Sequence, residues 1–312
     1  MMRERYAAQV RLLVRLIPFV AEETDFALKG GTAINLFYRD LPRYSVDIDL
    51  IYLPIKDRAE SLMAIAAALE RLAKKIESAV AEARATIVPG GGNQETRIII
   101  QTSDAQVKIE VSPVMRGTLF PPQPMMVHEA VETEFGFAEM PVIAFEELFA
   151  GKIIAALDRA HPRDLFDIHH LLDEEGISDA LFRAILIYLI SSGRPMHELL
   201  DPSPIDLSDV YVREFDGMTA EPLPLEALYR ARENLVSELR GKLTGDTAAF
   251  LEGVHNCEPD FDLIGLPQAG DLPAVRWKLQ NLKKFKSENS ARHNEQLEAL
   301  RALFSGGKTA AS

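Results

Sequence analysis

The 312-residue sequence contains one cysteine, Cys257, and this scarcity limits how the fold can be stabilised. A single cysteine cannot form an internal disulfide, so folding does not depend on an oxidising compartment. Its expected role is that of a small apolar side chain rather than a nucleophile. The sequence also lacks any run of about 18 apolar residues, the length that a membrane-spanning helix needs. Residues 1–20 mix arginines with apolar residues at helical spacing, which predicts an amphipathic helix rather than a signal peptide. We therefore expect a cytoplasmic protein with no membrane partner.

An excess of positive charge is missing as well. The formal net charge is −13, which argues against a protein that coats nucleic acid by bulk electrostatics. The C-terminal region departs from this balance, because only Glu288, Glu295 and Glu298 oppose its basic residues, which are Arg276, Lys278, Lys283, Lys284, Lys286, Arg292, Arg301 and Lys308. This region is either an RNA-facing surface with Trp277 available for stacking, or an amphipathic helix with Trp277 packed inside.

The order of periodic segments predicts a mixed α+β fold with two domains. Residues 1–140 combine helix and strand patterns, whereas residues 141–312 are helical apart from residues 195–224, which read as a long loop or a short insertion. Strands are predicted at residues 45–53, 97–101 and 106–112, the last two as a hairpin. An Ala-rich helix is predicted at residues 60–85. A helix is also predicted from Ala33 to Tyr38, with Thr32 as its N-cap.

Two carboxylates, Asp47 and Asp49, alternate with Val46, Ile48 and Leu50 in a predicted strand. Successive strand side chains point to opposite faces, so both carboxylates lie on one face while the apolar residues cover the other. Like charges this close repel, and a divalent cation such as Mg²⁺ would remove the conflict, because it binds carboxylate oxygens together with substrate phosphates. The alternative is a solvated edge-strand face, since two carboxylates alone are a weak motif.

Glu110 strengthens the metal hypothesis. It shares a predicted strand face with Lys108 and Ser112, opposite an apolar face. If this strand pairs beside the Asp47 strand, Glu110 joins the two aspartates. Three carboxylates suit a site for two metal ions about 3.5–4 Å apart. We therefore predict Asp47, Asp49 and Glu110 as metal ligands, and Glu110 also as acceptor of a proton from an attacking hydroxyl.

Glycines precede this strand in Lys29-Gly30-Gly31-Thr32. Backbone N–H groups at a helix start attract anions, and glycine lets a phosphate approach the main chain. The alternative is an ordinary helix cap. The position of the glycine segment shortly before the Asp-x-Asp strand favours a phosphate-binding turn.

These residues resemble a known family. The segments Gly30-Gly31-Thr32-Ala33 and Arg43-Tyr44-Ser45-Val46-Asp47-Ile48-Asp49-Leu50 resemble the DNA polymerase β-like nucleotidyltransferase superfamily, and more closely the AbiEii/AbiGii-type toxins of bacterial toxin–antitoxin and phage-abortive systems. Further downstream, Lys152, the segment from Arg163 to Ile168 and the segment from Arg276 to Leu282 resemble elements of the same toxins. The likeness extends from about Phe26 to Leu282.

The resemblance implies a polymerase β-like core with a small mixed sheet flanked by helices, followed by a helical domain that contributes Lys152 and the Arg163-Asp164-Asp167 element. It implies Asp47, Asp49, Glu110, Lys152 and Asp167 as catalytic residues. The residues that it assigns to nucleotide binding are Gly30, Gly31, Thr32, Arg43, Ser45, Lys152, Arg163 and Asp164. Two positions depart from the family pattern, because Thr32 stands where Ser is usual and Glu110 where many relatives have Asp.

The residues also allow simpler interpretations. Lys152 lies on a largely apolar helix, where it is either a cation for a triphosphate oxygen or a surface lysine. Asp164 and Asp167 share a helix face. Asp164 could serve only the helix start, whereas Asp167 is better placed to orient Lys152 or the nucleotide.

The predicted activity is Mg²⁺-dependent transfer of a nucleotide from a nucleoside triphosphate, with Mn²⁺ as the alternative metal. The resemblance implies tRNA, at its 3′ end, as the acceptor and a separately encoded antitoxin as the partner. Transfer to a small molecule or a protein hydroxyl is the alternative, and it fits the acidic charge. A catalytically silent module that binds nucleotide or antitoxin is the third hypothesis.

Overall fold

A computed structural model describes residues 2–89 and 95–305 of the chain. The chain divides into two compact units. The first comprises Met1–Ala144 and Asp216–Pro222, and the second comprises Phe145–Phe215 and Leu223–Ser312. The short segment Asp216–Pro222 belongs to the first unit because its backbone bonds to the segment before the Asp-x-Asp strand: Tyr44 N–H donates to the carbonyl of Met218 at 2.9 Å.

The first unit is built on a mixed sheet, in which seven strands have the spatial order β3-β4-β5-β2-β1-β7-β6. The β2–β5 and β1–β7 pairs are parallel, and the other pairs are antiparallel. The strands are β1 (Phe26–Lys29), β2 (Asp47–Tyr52), β3 (Arg84–Pro89), β4 (Glu95–Gln101), β5 (Gln106–Arg116), β6 (Gln123–Met126) and β7 (Glu139–Val142).

The first unit also contains helices. They are α1 (Met2–Ala21), α2 (Gly30–Ala33), which continues as a π-helical turn over Ile34–Tyr38, α3 (Arg58–Ala79) and α4 (Glu129–Phe135). Helix α1 contacts β5 and β7, and α3 contacts β3 and β4. Ile48, Leu50 and Ile109 are fully buried, as the predicted alternation requires. The polar residues between them therefore point to the opposite face, where the candidate site lies.

The described part of the second unit contains helices and no strand. Its core includes Phe149, Leu165 and Ile187, all fully buried. The helices are α5 (Phe145–Arg159), α6 (Pro162–Glu174), α7 (Asp179–Ser191), α8 (Met196–Leu200), α9 (Ser208–Glu214), α10 (Leu225–Lys242), α11 (Gly245–His255), α12 (Pro273–Glu288) and α13 (Ser290–Ser305). A mixed sheet followed by helices confirms the predicted α+β class.

Three local predictions are wrong. The Ala-rich helix ends at Ala79 rather than residue 85, because Glu82 turns the chain with φ +63° and β3 begins at Arg84. Thr32 does not cap a helix, since α2 begins at Gly30 with Lys29 as N-cap. Of the two alternatives for residues 195–224, the long loop is wrong, because the segment includes α8 and α9.

No helix within residues 2–89 and 95–305 is both long enough and apolar enough to cross a bilayer.

Candidate active site

Parallel pairing of β2 with β5 brings the predicted carboxylates together. Asp49 is the register partner of Glu110, and Asp47 is the partner of Lys108. Directly paired residues point to the same face of a sheet. The structure thus places Asp47, Asp49 and Glu110 on one face, opposite the buried residues Ile48 and Ile109.

The glycine turn lies against one of these carboxylates. Gly30 has φ +76°, in the left-handed region that favours glycine. A Cβ added to Gly30 would lie 2.5 Å from Oδ2 of Asp49, and one added to Gly31 would lie 2.8 Å from Nη2 of Arg43. Close packing therefore requires glycine at both positions, and backbone conformation also requires it at Gly30. The backbone of the turn directly borders the Asp49 side chain.

Buried polar contacts connect the turn to the start of β2. The Thr32 hydroxyl donates to the backbone carbonyl of Asp47 and lies 3.0 Å from Oγ of Ser45. Arg43 Nη1 donates to the carbonyl of Tyr44 at 3.0 Å. Thr32, Arg43 and Ser45 are all buried. In this structure their side chains hold the glycine turn and the Asp47 backbone in place.

Glu110 is neutralised by two neighbouring cations. Nη2 of Arg97 lies 2.5 Å from its Oε1, and Nζ of Lys108 lies 2.8 Å from its Oε2. The Lys108 ammonium also lies 3.8 Å from Oδ2 of Asp47. In contrast, the side chain of Asp49 makes no hydrogen bond or ion pair within the described residues. The carboxylates thus differ in what already compensates their charge.

These contacts keep Glu110 and Lys108 ionised. Partial burial would raise the pKa of Glu110, but hydrogen bonds from Arg97 and Lys108 outweigh it and lower the pKa. Burial alone would lower the pKa of Lys108, but its hydrogen bond to Glu110 and the charges of the neighbouring carboxylates Asp47, Asp49 and Glu110 outweigh burial and raise it. Both side chains are therefore charged at neutral pH.

The second unit contains an ion cluster around Lys152. Its Nζ lies 2.8 Å from Oδ1 of Asp164 and 3.0 Å from Oδ2 of Asp167. Lys152 is only 8% exposed, so the alternative of a surface lysine is wrong. Both aspartates are buried on α6, where their i, i+3 spacing presents them on the same helix face. Lys152 is fixed by the two carboxylates that the sequence placed on one face.

Arg159 is the second cation on Asp164. Its Nε lies 2.7 Å from Oδ2 of Asp164. Burial alone would raise the pKa of Asp164, but the charges of Lys152 and Arg159 outweigh it and lower the pKa well below its ordinary value. Arg163, in contrast, is half-buried in the first turn of α6, where its N–H donates to Nδ1 of His161.

A buried hydrogen-bonded pair joins α7 to α5, the helix that carries Lys152. The Tyr188 hydroxyl donates to Oε1 of Glu147 at 3.3 Å, and Glu147 is 1% exposed. A Cβ added to Gly151 would lie 3.3 Å from the Tyr188 ring. Burial, with the charge of Glu147, raises the pKa of Tyr188. Helix α5 is therefore fixed against α7 next to Lys152.

Sequence reasoning missed five residues of these clusters. Lys108 was recognisable, since it alternates in phase with Glu110. Arg97 became visible only through the β4–β5 register, which pairs it with Glu110. Arg159, Glu147 and Tyr188 lack a sequence signal, because their contacts depend on how helices pack.

The basic C-terminal region forms α12 and α13 rather than one helix. Trp277 is 54% exposed, so the alternative in which it packs inside is wrong. Lys283, Lys284 and Lys286 are exposed on α12. Lys308 lies outside the described residues.

No group of three or more His, Cys, Asp or Glu side chains is arranged to hold a metal ion in the described ranges. The Asp47–Asp49 pair nevertheless fits a hard divalent cation. Both residues offer carboxylate oxygens, which Mg²⁺ prefers, and both are partly exposed beside a turn that has no side chains.

Carboxylates beside a glycine turn on a mixed sheet, followed by a helical unit, agree with the nucleotidyltransferase class that the sequence resemblance implies. The profile of the AbiEii nucleotidyl transferase toxin family, a type IV toxin–antitoxin system, matches residues 11–281. The chain belongs to this family, and it is a nucleotidyltransferase toxin of a type IV toxin–antitoxin system.

A solved structure shares the fold. MenT4, a nucleotidyltransferase toxin from Mycobacterium tuberculosis H37Rv, superposes with a TM-score of 0.58 at 15% sequence identity. The match covers 89% of this chain and 93% of MenT4. No curated protein sequence matches the chain.

Gly30→Ala tests the close approach of the turn to Asp49. Gly217 is a matched control, because it has the same φ of +76° but no atom within 4 Å of an added Cβ. A left-handed conformation costs a non-glycine residue about 1–2 kcal/mol, so both variants lose that much stability in urea denaturation. Gly30→Ala loses more, because the Asp49 carboxylate must move. Equal losses would show that the approach imposes no constraint.

Asp164→Asn tests the buried ion cluster through pH. The folded-state pKa of Asp164 lies below the unfolded value of about 3.9. The wild-type cluster therefore stabilises fully above about pH 5 and loses this contribution as pH falls through the folded-state pKa. Asp164→Asn should be less stable by about 3–5 kcal/mol at pH 7.

The difference in unfolding free energy between Asp164→Asn and wild type should become smaller when urea denaturation is repeated at decreasing pH. Asp173→Asn is the control, since it removes an exposed carboxylate from the same helix. It should follow the wild-type pH profile. A gap that stays constant down to pH 2 would contradict the assignment.

Proposed function

We propose that this toxin transfers a nucleotide from a nucleoside triphosphate to RNA, with the 3′ end of tRNA as acceptor, and releases pyrophosphate. The observation that supports the proposal most directly is the position of Asp47 and Asp49 on one sheet face beside the Gly30–Gly31 turn. A carboxylate pair next to exposed backbone suits a metal-bound polyphosphate. Membership of a type IV toxin–antitoxin family implies an antitoxin as protein partner.

Asp47 and Asp49 would hold the divalent cation, Mg²⁺ or Mn²⁺. When bound, the cation supplies charge neutralisation for the phosphates. Asp49 is the better available ligand, because no ion pair within the described residues occupies its carboxylate. The Thr32 hydroxyl fixes the backbone of Asp47, so the two ligands are positioned before substrate arrives. Such preorganisation accounts for much of the rate of phosphoryl and nucleotidyl transfer.

The predicted role of Lys152, contact with the nucleotide phosphates, stays a prediction. What supports it is an ammonium group fixed by Asp164 and Asp167 rather than a mobile one. Asp167 would then orient Lys152, and Asp164 would balance Lys152 and Arg159. Arg163 stays predicted for nucleotide binding.

The RNA acceptor is supported by the surface of α12. Lys283 and Lys284 are exposed there, and the exposed ring of Trp277 lies on the same helix. Ammonium groups contact phosphates and an exposed indole can stack on a base. A local basic helix explains how a chain of net charge −13 could bind a polyanion.

Asp49→Asn should abolish transfer. Protein, Mg²⁺, total cell RNA and each α-labelled nucleoside triphosphate are incubated together, and the label is located in RNA, protein or small molecules. We expect labelled RNA with wild type and a loss of at least about 100-fold with Asp49→Asn, because a positioned charge is removed. Asp104→Asn, an exposed carboxylate in the turn between β4 and β5, is the control and should retain activity.

If Asp49→Asn incorporated nucleotide at the wild-type rate, the assignment of the active site would be wrong. If the label appeared in protein or small molecules, the acceptor would be the alternative one rather than RNA. Nucleotide binding with no pyrophosphate released would support the silent-module hypothesis instead.

Replacing Lys283, Lys284 and Lys286 with Gln should weaken binding to tRNA. If each lysine contacts one phosphate, the slope of log affinity against log salt falls by about 2. The matched control replaces Arg71, Lys74 and Lys75, which are exposed on α3, with Gln. Filter binding at several salt concentrations measures both. An unchanged slope in the α12 variant would exclude this surface.

A further inference from the structure

Two cations lie on the same sheet face as the carboxylates of the candidate site. In one row across the sheet, Asp49 on β2 pairs with Glu110 on β5, and Glu110 pairs with Arg97 on β4. In the next row, Asp47 pairs with Lys108. Direct pairing puts all five side chains on the same face. The cations are thus built into the cluster by strand register rather than placed by flexible loops.

The two oxygens of Glu110 face different partners. Oε1 is bonded to Arg97 at 2.5 Å, and Oε2 to Lys108 at 2.8 Å. The Glu110 side chain is only 27% exposed. A metal ion on either oxygen would weaken or break the charge-assisted bond that this oxygen already accepts, and such bonds are the strong class of hydrogen bond. The ion would also lie next to the guanidinium of Arg97 or the ammonium of Lys108, which would repel it at close range.

Charge balance leads to the same conclusion. Arg97 and Lys108 supply two positive charges, which is what a second divalent cation would supply. With one divalent cation on Asp47 and Asp49, the five side chains and the ion carry a net single positive charge. A polyphosphate favours such a surface. A second ion would raise the net charge to three while separating Glu110 from its partners.

We infer that the site binds a single divalent cation, on Asp47 and Asp49, an inference that rests on the proposed function. Glu110 is then a positioning residue for Arg97 and Lys108. These two side chains take the place of a second metal ion and face the phosphates of the nucleotide. The side chains of Arg97 and Lys108 are partly exposed, so they can contact a bound phosphate. The inference departs from the prediction that Glu110 is itself a metal ligand.

Counting bound Mn²⁺ tests this inference. Electron paramagnetic resonance measures free Mn²⁺ in titrations of the full chain saturated with each α,β-methylene nucleoside triphosphate in turn. We expect one Mn²⁺ bound per wild-type chain beyond the protein-free analogue control, one per Glu110→Gln chain, and none for Asp49→Asn. Asp104→Asn is the control and should match wild type.

A second measurement isolates the positioning role. Binding of the same analogues is measured in excess chelator, where no divalent cation contributes. Glu110→Gln should weaken this metal-free binding about tenfold, because loss of the carboxylate that holds Arg97 and Lys108 outweighs the removal of one negative charge. If Glu110 acted only as a metal ligand, its replacement would leave metal-free binding unchanged or strengthen it.

The outcomes separate the two levels of the argument. Two Mn²⁺ per wild-type chain, loss of the ion in Glu110→Gln, or unchanged metal-free affinity in that variant overturns the inference and leaves the proposed function intact. Unchanged Mn²⁺ binding in Asp49→Asn overturns the proposed function itself. The wild-type count decides the number of ions even if Glu110→Gln does not fold.

Discussion

Electrostatic repulsion between carboxylates on adjacent parallel strands is the constraint on which the first unit depends. Register fixes Asp49 opposite Glu110 on β2 and β5, and strands in a sheet are only about 4.8 Å apart. The strands cannot separate to relieve this repulsion, because Ile48 and Ile109 are fully buried on the other face. Positive charge must therefore be supplied on the polar face. Lys108 and Arg97 supply it at Glu110, which leaves Asp49 as the carboxylate nearest the glycine turn.

The same constraint has a different solution in the second unit. Asp164 and Asp167 are almost completely buried, where an unpaired charge is far more costly than at a half-exposed sheet face. Two carboxylates there share one ammonium, and Arg159 adds a second cation to Asp164. Coulombic attraction outweighs desolvation, as the lowered pKa of Asp164 shows. The number of cations that contact each carboxylate cluster thus corresponds to how far that cluster is exposed to solvent.

Features that depend on local periodicity were predictable from sequence. Alternation in β2 and β5 identified the faces of Asp47, Asp49 and Glu110, and i, i+3 spacing identified the shared face of the two aspartates in α6. Strands such as β6 escaped prediction, because Gln123–Met126 is short and has no alternating pattern. The ion pair of Arg97 with Glu110 also escaped, since it follows from strand register. Side-chain direction is local information, whereas partner identity depends on tertiary packing.

Cations that belong to the chain and cations that come from solution differ in what they allow a site to do. Lys108 is part of β5, so it neutralises its carboxylates at any metal concentration and cannot dissociate from them. Under the proposed function, an ion on Asp47 and Asp49 would instead enter and leave with the nucleotide. The site would then hold one exchangeable cation beside the glycine turn, where a side chain on Gly30 would clash with Asp49. With that ion bound, a protein of net charge −13 would present a locally positive face to phosphates without a basic surface overall.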